Sequence, residues 1–216
     1  MRQVRGMVES RKRTEKNTGR SYDLILKVAL QLFSERGYDG TSIDDIRHAA
    51  GFKSKASLYT HFKSKGEVAM ALLQQIQDVE EQAVLQAYIQ AGEEPLQRLT
   101  AVIRAFIEWG MTYPQEYSFC FLRIQQDLLV RGEASNPEQT DAMTEATTKL
   151  LQSVRAAGYP VRQIADAALL TMAVGLISRA VIDQSAFGPI SMQEKIQQLL
   201  NACFGVIFAQ PVTIPV

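Results

Sequence analysis

Cysteine and histidine are scarce in this chain, with two of each among 216 residues. Cys120 and Cys203 are remote in sequence and form no CxxC pair. That spacing excludes a disulfide framework and fits a reducing, cytoplasmic setting. His48 and His61 have no metal-ligand spacing with either cysteine, so neither zinc nor any other cofactor is expected. No nucleophile triad or phosphate loop is visible. The adjacent Asp44 and Asp45 are better explained by a helix dipole than by acid–base chemistry, and the chain reads as a non-enzyme. Long apolar runs are missing too. The most apolar stretch, Ala167 to Ile177, is too short to span a bilayer and contains Thr171 and Gly175. The first residues are basic and hold no secretory core, so no membrane partner is expected. Strand alternation and internal repeats are also lacking.

Net charge is zero, but its distribution is uneven. Residues 1–65 hold 14 Lys and Arg against 7 Asp and Glu, a balance of +7, and the remainder holds 9 against 16, a balance of −7. A basic head on an acidic body is the asymmetry expected of a nucleic-acid-binding module attached to a regulatory one. Three segments follow: 1–20 as a flexible basic arm, 21–66 as a DNA-binding domain, and 67–211 as a ligand-binding and dimerisation domain. The run from Arg2 to Arg20 is read either as an arm touching the DNA backbone or minor groove, or as a solubilising tail.

The pattern is helical almost throughout and predicts an all-α chain of about nine helices. Ile25, Val28, Ala29, Leu32 and Phe33 repeat at helical spacing, and Gly37 closes that helix. Further on, helices are predicted over Glu67–Ala91, Pro95–Thr112, Gln115–Arg131, Pro137–Ala157 and Val161–Ala186. A last one, with a capping box of Ser191 and Glu194, stops before Pro211. Glycine and proline mark the breaks.

The segment Thr41 to Lys65 carries most of the information. Ser42 is a good N-cap, with Asp45 three residues later as the second half of a capping box. Ile43, Ile46 and Ala50 form a small inner face, and Gly51 stops the helix. A second helix starts at the cap Ser54 and turns Leu58 and Phe62 inward. Its other face presents Lys55, Ser57, Tyr59, Thr60 and His61. Two helices around a short glycine turn make a helix-turn-helix, whose second helix enters the major groove N-terminus first. Hydroxyls such as those of Thr41 and Ser42 suit phosphate oxygens, and Lys55, Ala56, Ser57 and Thr60 are placed to meet base edges. The same face also suits a solvated surface hairpin.

The two C-terminal helices carry apolar stripes longer than one face of a small domain needs. Leu169, Met172, Ala173 and Leu176 on the first, with Leu200, Phe204 and Ile207 on the second, are candidates for a dimer interface. A two-fold four-helix bundle would supply the symmetry an inverted-repeat operator requires. The alternative is an ordinary intrachain core.

Over Leu24 to Leu73 the chain resembles the TetR family of bacterial transcription regulators, in the GYDGTSIDDI, AAG, SLYTHF and SKGE stretches. The resemblance implies a homodimeric repressor that binds double-stranded operator DNA, with a three-helix DNA-binding domain and a body that binds a small-molecule inducer. It implies phosphate contacts from Ser42, Tyr59, His61 and Lys65. Three departures stand out. Arg47 replaces a small residue, as an added backbone contact or a solvent-facing one, and Ala56 replaces a frequent glycine. Tyr59 lies eight residues after Gly51 rather than seven. The extra residue falls around Phe52 and Lys53; it turns Lys53 toward a phosphate and leaves open which residue caps the recognition helix.

A pocket is expected among the middle helices, where Trp109, Tyr113, Tyr117, Cys120, Phe121 and Arg123 form the densest aromatic cluster. An aromatic core helix has the same composition. Arg123 suits an anionic ligand or pairing with Asp127. Cys120 is either an inert buried thiol or a sensor of oxidants. The competing reading is therefore a helical small-molecule or redox sensor that acts through protein contacts.

Overall fold

The computed structural model describes residues 2–121 and 137–214, with side chains placed for 19–121 and 144–214. Arg123 and Asp127 lie outside the described residues. The described chain is helical: α1 (Arg2–Arg36), α2 (Ile43–Ala49), α3 (Lys55–Tyr59), α4 (Lys65–Gln90), α5 (Pro95–Thr112), α6 (residues 114–121), α7 (Pro137–Ala156), α8 (Asp166–Ile182) and α9 (Met192–Ile207). A single 3-10 turn, Gln184–Phe187, follows α8. The chain divides into two compact units, residues 1–75 and 76–216.

In the first unit, α1 lays Ile25, Leu26, Ala29, Leu32 and Phe33 into a core completed by Ile46, Leu58, Phe62, Val68 and Leu72. Each fully buried aliphatic side chain contributes roughly 1.5–3 kcal/mol. Tyr22 stacks on Phe62 with ring centroids 5.0 Å apart. Gly37, at φ 73, ends α1, and its amide donates to the Phe33 carbonyl at 3.0 Å. Three residues on, a Cβ at Gly40 would collide with the Arg36 carbonyl oxygen, so the chain turns toward α2 only with glycine there. Toward its start, α1 is continuous from Arg2. The stretch read as an arm is therefore helical backbone, and no proline interrupts it.

In the second unit, α5 begins where Pro95 predicts. Glu94 caps it by accepting from the Leu96 and Gln97 amides. Helix α5 packs on α7, α8 and α9, and α8 pairs with α9. Gly110 sits at the tightest crossing: a Cβ there would be 2.8 Å from Tyr117 and 3.0 Å from Val181. The capping box of Ser191 and Glu194 opens α9 as expected.

One helix differs from the sequence reading at both ends, since the one expected to run to Ala186 stops at Ile182 and a 3-10 turn follows. The helix expected from Val161 starts at Asp166, because Val161 forms an antiparallel bridge with Phe208. Around that bridge the Arg162 amide donates to the Ile207 carbonyl at 3.0 Å and the Ala209 amide to Pro160 at 2.8 Å. The Arg162 guanidinium donates to the carbonyls of Val206 and Gly205, which the end of α9 leaves without helical partners. Among the described residues no helix is long and apolar enough to cross a membrane.

Candidate nucleic-acid interface and cavities of the body

Both helices of the motif are capped as their sequences predict. The Ser42 hydroxyl accepts from the Asp45 amide at 3.1 Å, and the Asp45 carboxylate accepts in return from the Ser42 amide at 2.8 Å. These bonds hold the Asp45 carboxyl below its usual range, the Ser42 hydroxyl contributing most. Ser54 caps α3 by accepting from the Ser57 amide at 3.2 Å, which answers which residue caps that helix. Between them lies a Schellman turn. The Phe52 amide donates to the Arg47 carbonyl at 3.1 Å and the Gly51 amide to His48 at 3.0 Å, with Gly51 at φ 76.

Arg47 neither faces solvent nor reaches outward. It is buried, its Nη1 donates to the Phe52 carbonyl at 2.7 Å, and its Nε donates to Asp44 Oδ1 at 2.8 Å. Its Nη2 lies against His48 Nε2. The arginine thus ties the end of α2 to the residue that lengthens the turn. The Arg47 hydrogen bond also holds the Asp44 carboxyl below its ordinary range, helped by the charges of Lys55 and His48.

The exposed face of the motif brings together Ser42, Lys53, Ser54, Lys55, Ala56, Tyr59 and Thr60, with Ser57 and His61 half-buried. Among the described residues Lys55 reaches no partner closer than Asp44, at 3.9 Å, and stays 70% exposed. Thr41 must be taken out of this set. It is 2% exposed, and its hydroxyl donates to the Gly37 carbonyl at 2.9 Å and to Leu32 at 3.2 Å, so it closes the α1–α2 corner. Lys65 is also engaged. Its ammonium donates to the Tyr38 carbonyl at 2.7 Å and sits 4.1 Å from the Tyr38 ring centroid.

Two cavities mark the second unit. The smaller, about 110 Å³, is walled by Trp109, Tyr117, Cys120 and Phe121 of the expected cluster, joined by Ile76, Gln77, Glu80 and Phe106. Tyr113 is exposed and does not line it. Burial pushes the Cys120 thiol up to about 12, with the Glu80 and Glu116 charges adding to the effect, so it is protonated near neutrality and a poor nucleophile. Burial likewise raises Tyr117 to about 12, although its hydroxyl pairs with Ser178 Oγ at 2.7 Å.

The larger cavity, about 630 Å³, opens between α4, α5 and α7 and escaped the sequence reading. Val84, Leu85 and Tyr88 of α4, Arg98 and Val102 of α5 and Leu150 of α7 line it. The Arg98 guanidinium lies 4.6 Å from the Tyr88 ring and 2.9 Å from Glu93. The available signal was the stripe Glu81, Val84, Leu85 and Tyr88 at i, i+3, i+4 and i+7.

The dimer candidates separate into two groups. Leu169, Ala173, Leu200, Phe204 and Ile207 are buried within the chain's own α8–α9 packing, whereas Met172 and Leu176 are exposed.

An all-helical protein whose first unit is built on this two-helix motif falls in the helix-turn-helix class. Residues 25–72 match the sequence model of the bacterial regulatory proteins, tetR family. Over 46 residues the chain is 54% identical to IcaR of Staphylococcus aureus strain Newman, the negative transcriptional regulator of the biofilm operon icaADBC. That match covers 21% of this chain and 24% of IcaR, so the chain spans about a quarter of the length of its curated relatives. The likeness of fold extends further. The ketosteroid transcriptional regulator KstR2 of Mycobacterium tuberculosis superposes with a TM-score of 0.72 at 22% identity, over 88% of this chain and 95% of its own. A TetR family regulator from Marinobacter aquaeolei VT8 gives 0.72 at 15% identity, over 92% and 100%. AibR, solved with isovaleryl coenzyme A and operator DNA, gives 0.68 at 21% identity, over 87% and 98%. Residues 25–72 are thus a domain of the tetR type, and the chain shares its fold with these solved regulators.

Proposed function

We propose that the protein is a sequence-specific DNA-binding transcription regulator, a homodimeric repressor that a small-molecule inducer releases from an inverted-repeat operator. The observation that carries this reading is the motif itself. Two capped helices are held at a fixed turn, and an unobstructed polar and cationic face leads with Ser54, Lys55, Ala56 and Ser57. The operator-bound state of AibR and the negative regulation named for IcaR support it by likeness. Dimerisation fits the second unit. Met172, Leu176 and Ile182 stay exposed on α8, and nothing lies within 4 Å of a Cβ built at Gly175 or Gly205. A second copy would thus approach α8 and α9 closely and set two recognition helices about 34 Å apart. The inducer's place is the second unit, whose larger cavity falls in the size range of small-molecule sites.

Gel shifts on the promoter region beside the protein's own gene test the proposal. Salt-sensitive, sequence-preferring binding is expected. Lys55→Met should lower the salt slope by about one if Lys55 meets phosphate, or relax base preference if it meets guanine. Binding that ignores sequence, or no binding at low salt, overturns the reading.

A further inference from the structure

The small cavity of the second unit joins an aromatic wall and a carboxylate. Four aromatic rings cluster around it: Phe106 and Trp109 from α5, and Tyr117 and Phe121 from α6. Trp109 and Tyr117 have centroids 5.8 Å apart, and Tyr117 lies 5.7 Å from Phe106 and 6.3 Å from Phe121. Into the same space α4 sends Glu80. Among the described residues no lysine or arginine lines this box, and no ion pair to Glu80 is formed. A carboxylate walled by aromatic rings, with no cation beside it among the described residues, is expensive to keep ionised. A bound cation would meet ring faces and carboxylate at once.

We infer that this box binds the head of a small organic cation, of the quaternary-ammonium class, with Glu80 as counter-ion and the rings of Trp109, Tyr117 and Phe106 as its walls. The volume of about 110 Å³ equals roughly three to four waters' share of liquid. That suits a head of four or five heavy atoms and excludes a large planar dye. An anion is disfavoured because Glu81 and Glu116 add negative charge near the box. A neutral apolar group would leave the carboxylate without a partner. The inference rests on the reading of the second unit as the ligand-receiving one.

Proton binding competes with cation binding. Burial, reinforced by the neighbouring charge of Glu81, raises the Glu80 carboxyl to about 7. The facing groups from α6, Cys120 and Tyr117, are both raised to about 12 and do not titrate in this range. The α5 wall contributes only Phe106 and Trp109. Cation affinity should therefore be about tenfold weaker at pH 6 than at pH 8, since the ionised fraction of a group titrating at 7 changes by that factor.

Trp109 is the only tryptophan in the chain, so its fluorescence reads the box directly. The full-length protein is titrated with choline and with its uncharged isostere 3,3-dimethyl-1-butanol, at pH 6 and pH 8. Choline should bind at least tenfold more tightly than the isostere at pH 8, and this preference should shrink at pH 6. Glu80→Gln, which imitates the protonated carboxyl already tolerated in the fold, should erase both the preference and the pH dependence. Its melting temperature is measured alongside to establish that it folds. Equal binding of the two probes, no response to choline, or a folded Glu80→Gln variant that still prefers choline overturns the inference. Operator binding is followed separately by gel shift. Its absence sinks the regulator reading without touching the fluorescence result, and its presence with an unresponsive Trp109 sinks the cation box alone.

Discussion

Arg47→Met removes the tie between α2 and the turn while keeping much of the buried stem. The lost bond runs from a guanidinium to the Phe52 carbonyl at 2.7 Å. Hydrogen bonds to charged groups contribute roughly 1.5–3 kcal/mol. The ion pair with Asp44 adds little, because Asp44 is water-facing and 40% exposed. A local destabilisation of about 2 kcal/mol follows, equivalent to about a 30-fold rise in the opening equilibrium. Hydrogen exchange followed by mass spectrometry on peptides covering 43–62 reads this directly. Protection should fall by that factor there, while Trp109 in the second unit reports no change. Arg47→Lys is the sharper control. An ammonium is a point charge and cannot reproduce the planar fork that reaches Asp44 and Phe52 together, so lysine should restore only a minor part of the protection. Full rescue by lysine, or protection within threefold of wild type in Arg47→Met, would show that charge or general packing holds the turn and refute the stapling argument.

Three further outcomes are expected. Ser54→Ala removes the cap of a five-residue helix, costing about 1 kcal/mol, so exchange of residues 55–60 should quicken about fivefold; unchanged exchange would mean that tertiary contacts alone hold α3. Gly110→Ala drives a methyl against Tyr117 and Val181, and the Tyr117 ring is held by Ser178. Overpacking of this kind costs about 1–3 kcal/mol, and a thermal melt followed by Trp109 fluorescence that is unshifted or raised would contradict it. Glu80, normally near 4.5 and raised to about 7 by the fold, binds a proton more tightly when folded. Its contribution to stability is greatest below pH 4.5, declines as pH rises to 7 and is level above, a span of about 3 kcal/mol. Urea unfolding of wild type against Glu80→Gln at pH 5 and pH 8 should show the gap between the two proteins widening at pH 8, in favour of the glutamine variant.

The first unit was legible because its signals are local. A cap and its partner are three residues apart at Ser42 and Asp45, the turn glycine is adjacent, and Leu58 and Phe62 repeat within one helix. The sequence also displayed both parts of the turn device, an unusual Arg47 and one extra residue near Phe52. It could not connect them, because a side chain at i reaching the carbonyl at i+5 has no periodic signature. Thr41 was misplaced for a related reason. A hydroxyl beside a phosphate-binding cap looks the same in sequence as a hydroxyl that closes a corner on Gly37 and Leu32. In the body, proline and glycine marked most helix ends. Val161 escaped because its partner, Phe208, is distant in the chain, and Glu80 escaped because α4 carries it into an aromatic cluster that belongs to α5 and α6.

Apolar periodicity states that a face is covered, but not by which chain, and α8 illustrates the difference. Leu169, Ala173, Ile177 and Val181 follow one another at four-residue steps and are all buried, which is the stripe that α5 and α9 need. Met172 and Leu176 are offset from that stripe by one residue, about 100° around the helix, and remain in solvent. On the C-terminal half of α9 the residues Leu199, Leu200, Phe204 and Ile207 turn inward, leaving Asn201, Ala202 and Gly205 outside, while Met192 at the helix start is exposed. The intrachain core thus uses the bulky residues of both helices. What remains outside is large and apolar on α8 but small toward the C-terminal end of α9, at Ala202 and Gly205. Such a pair of surfaces fits a two-fold copy, since the protruding residues of one α8 would find room over the small residues of the opposing α9. The stripes read from sequence as a single seam are two, and only the outer one is free to join two chains.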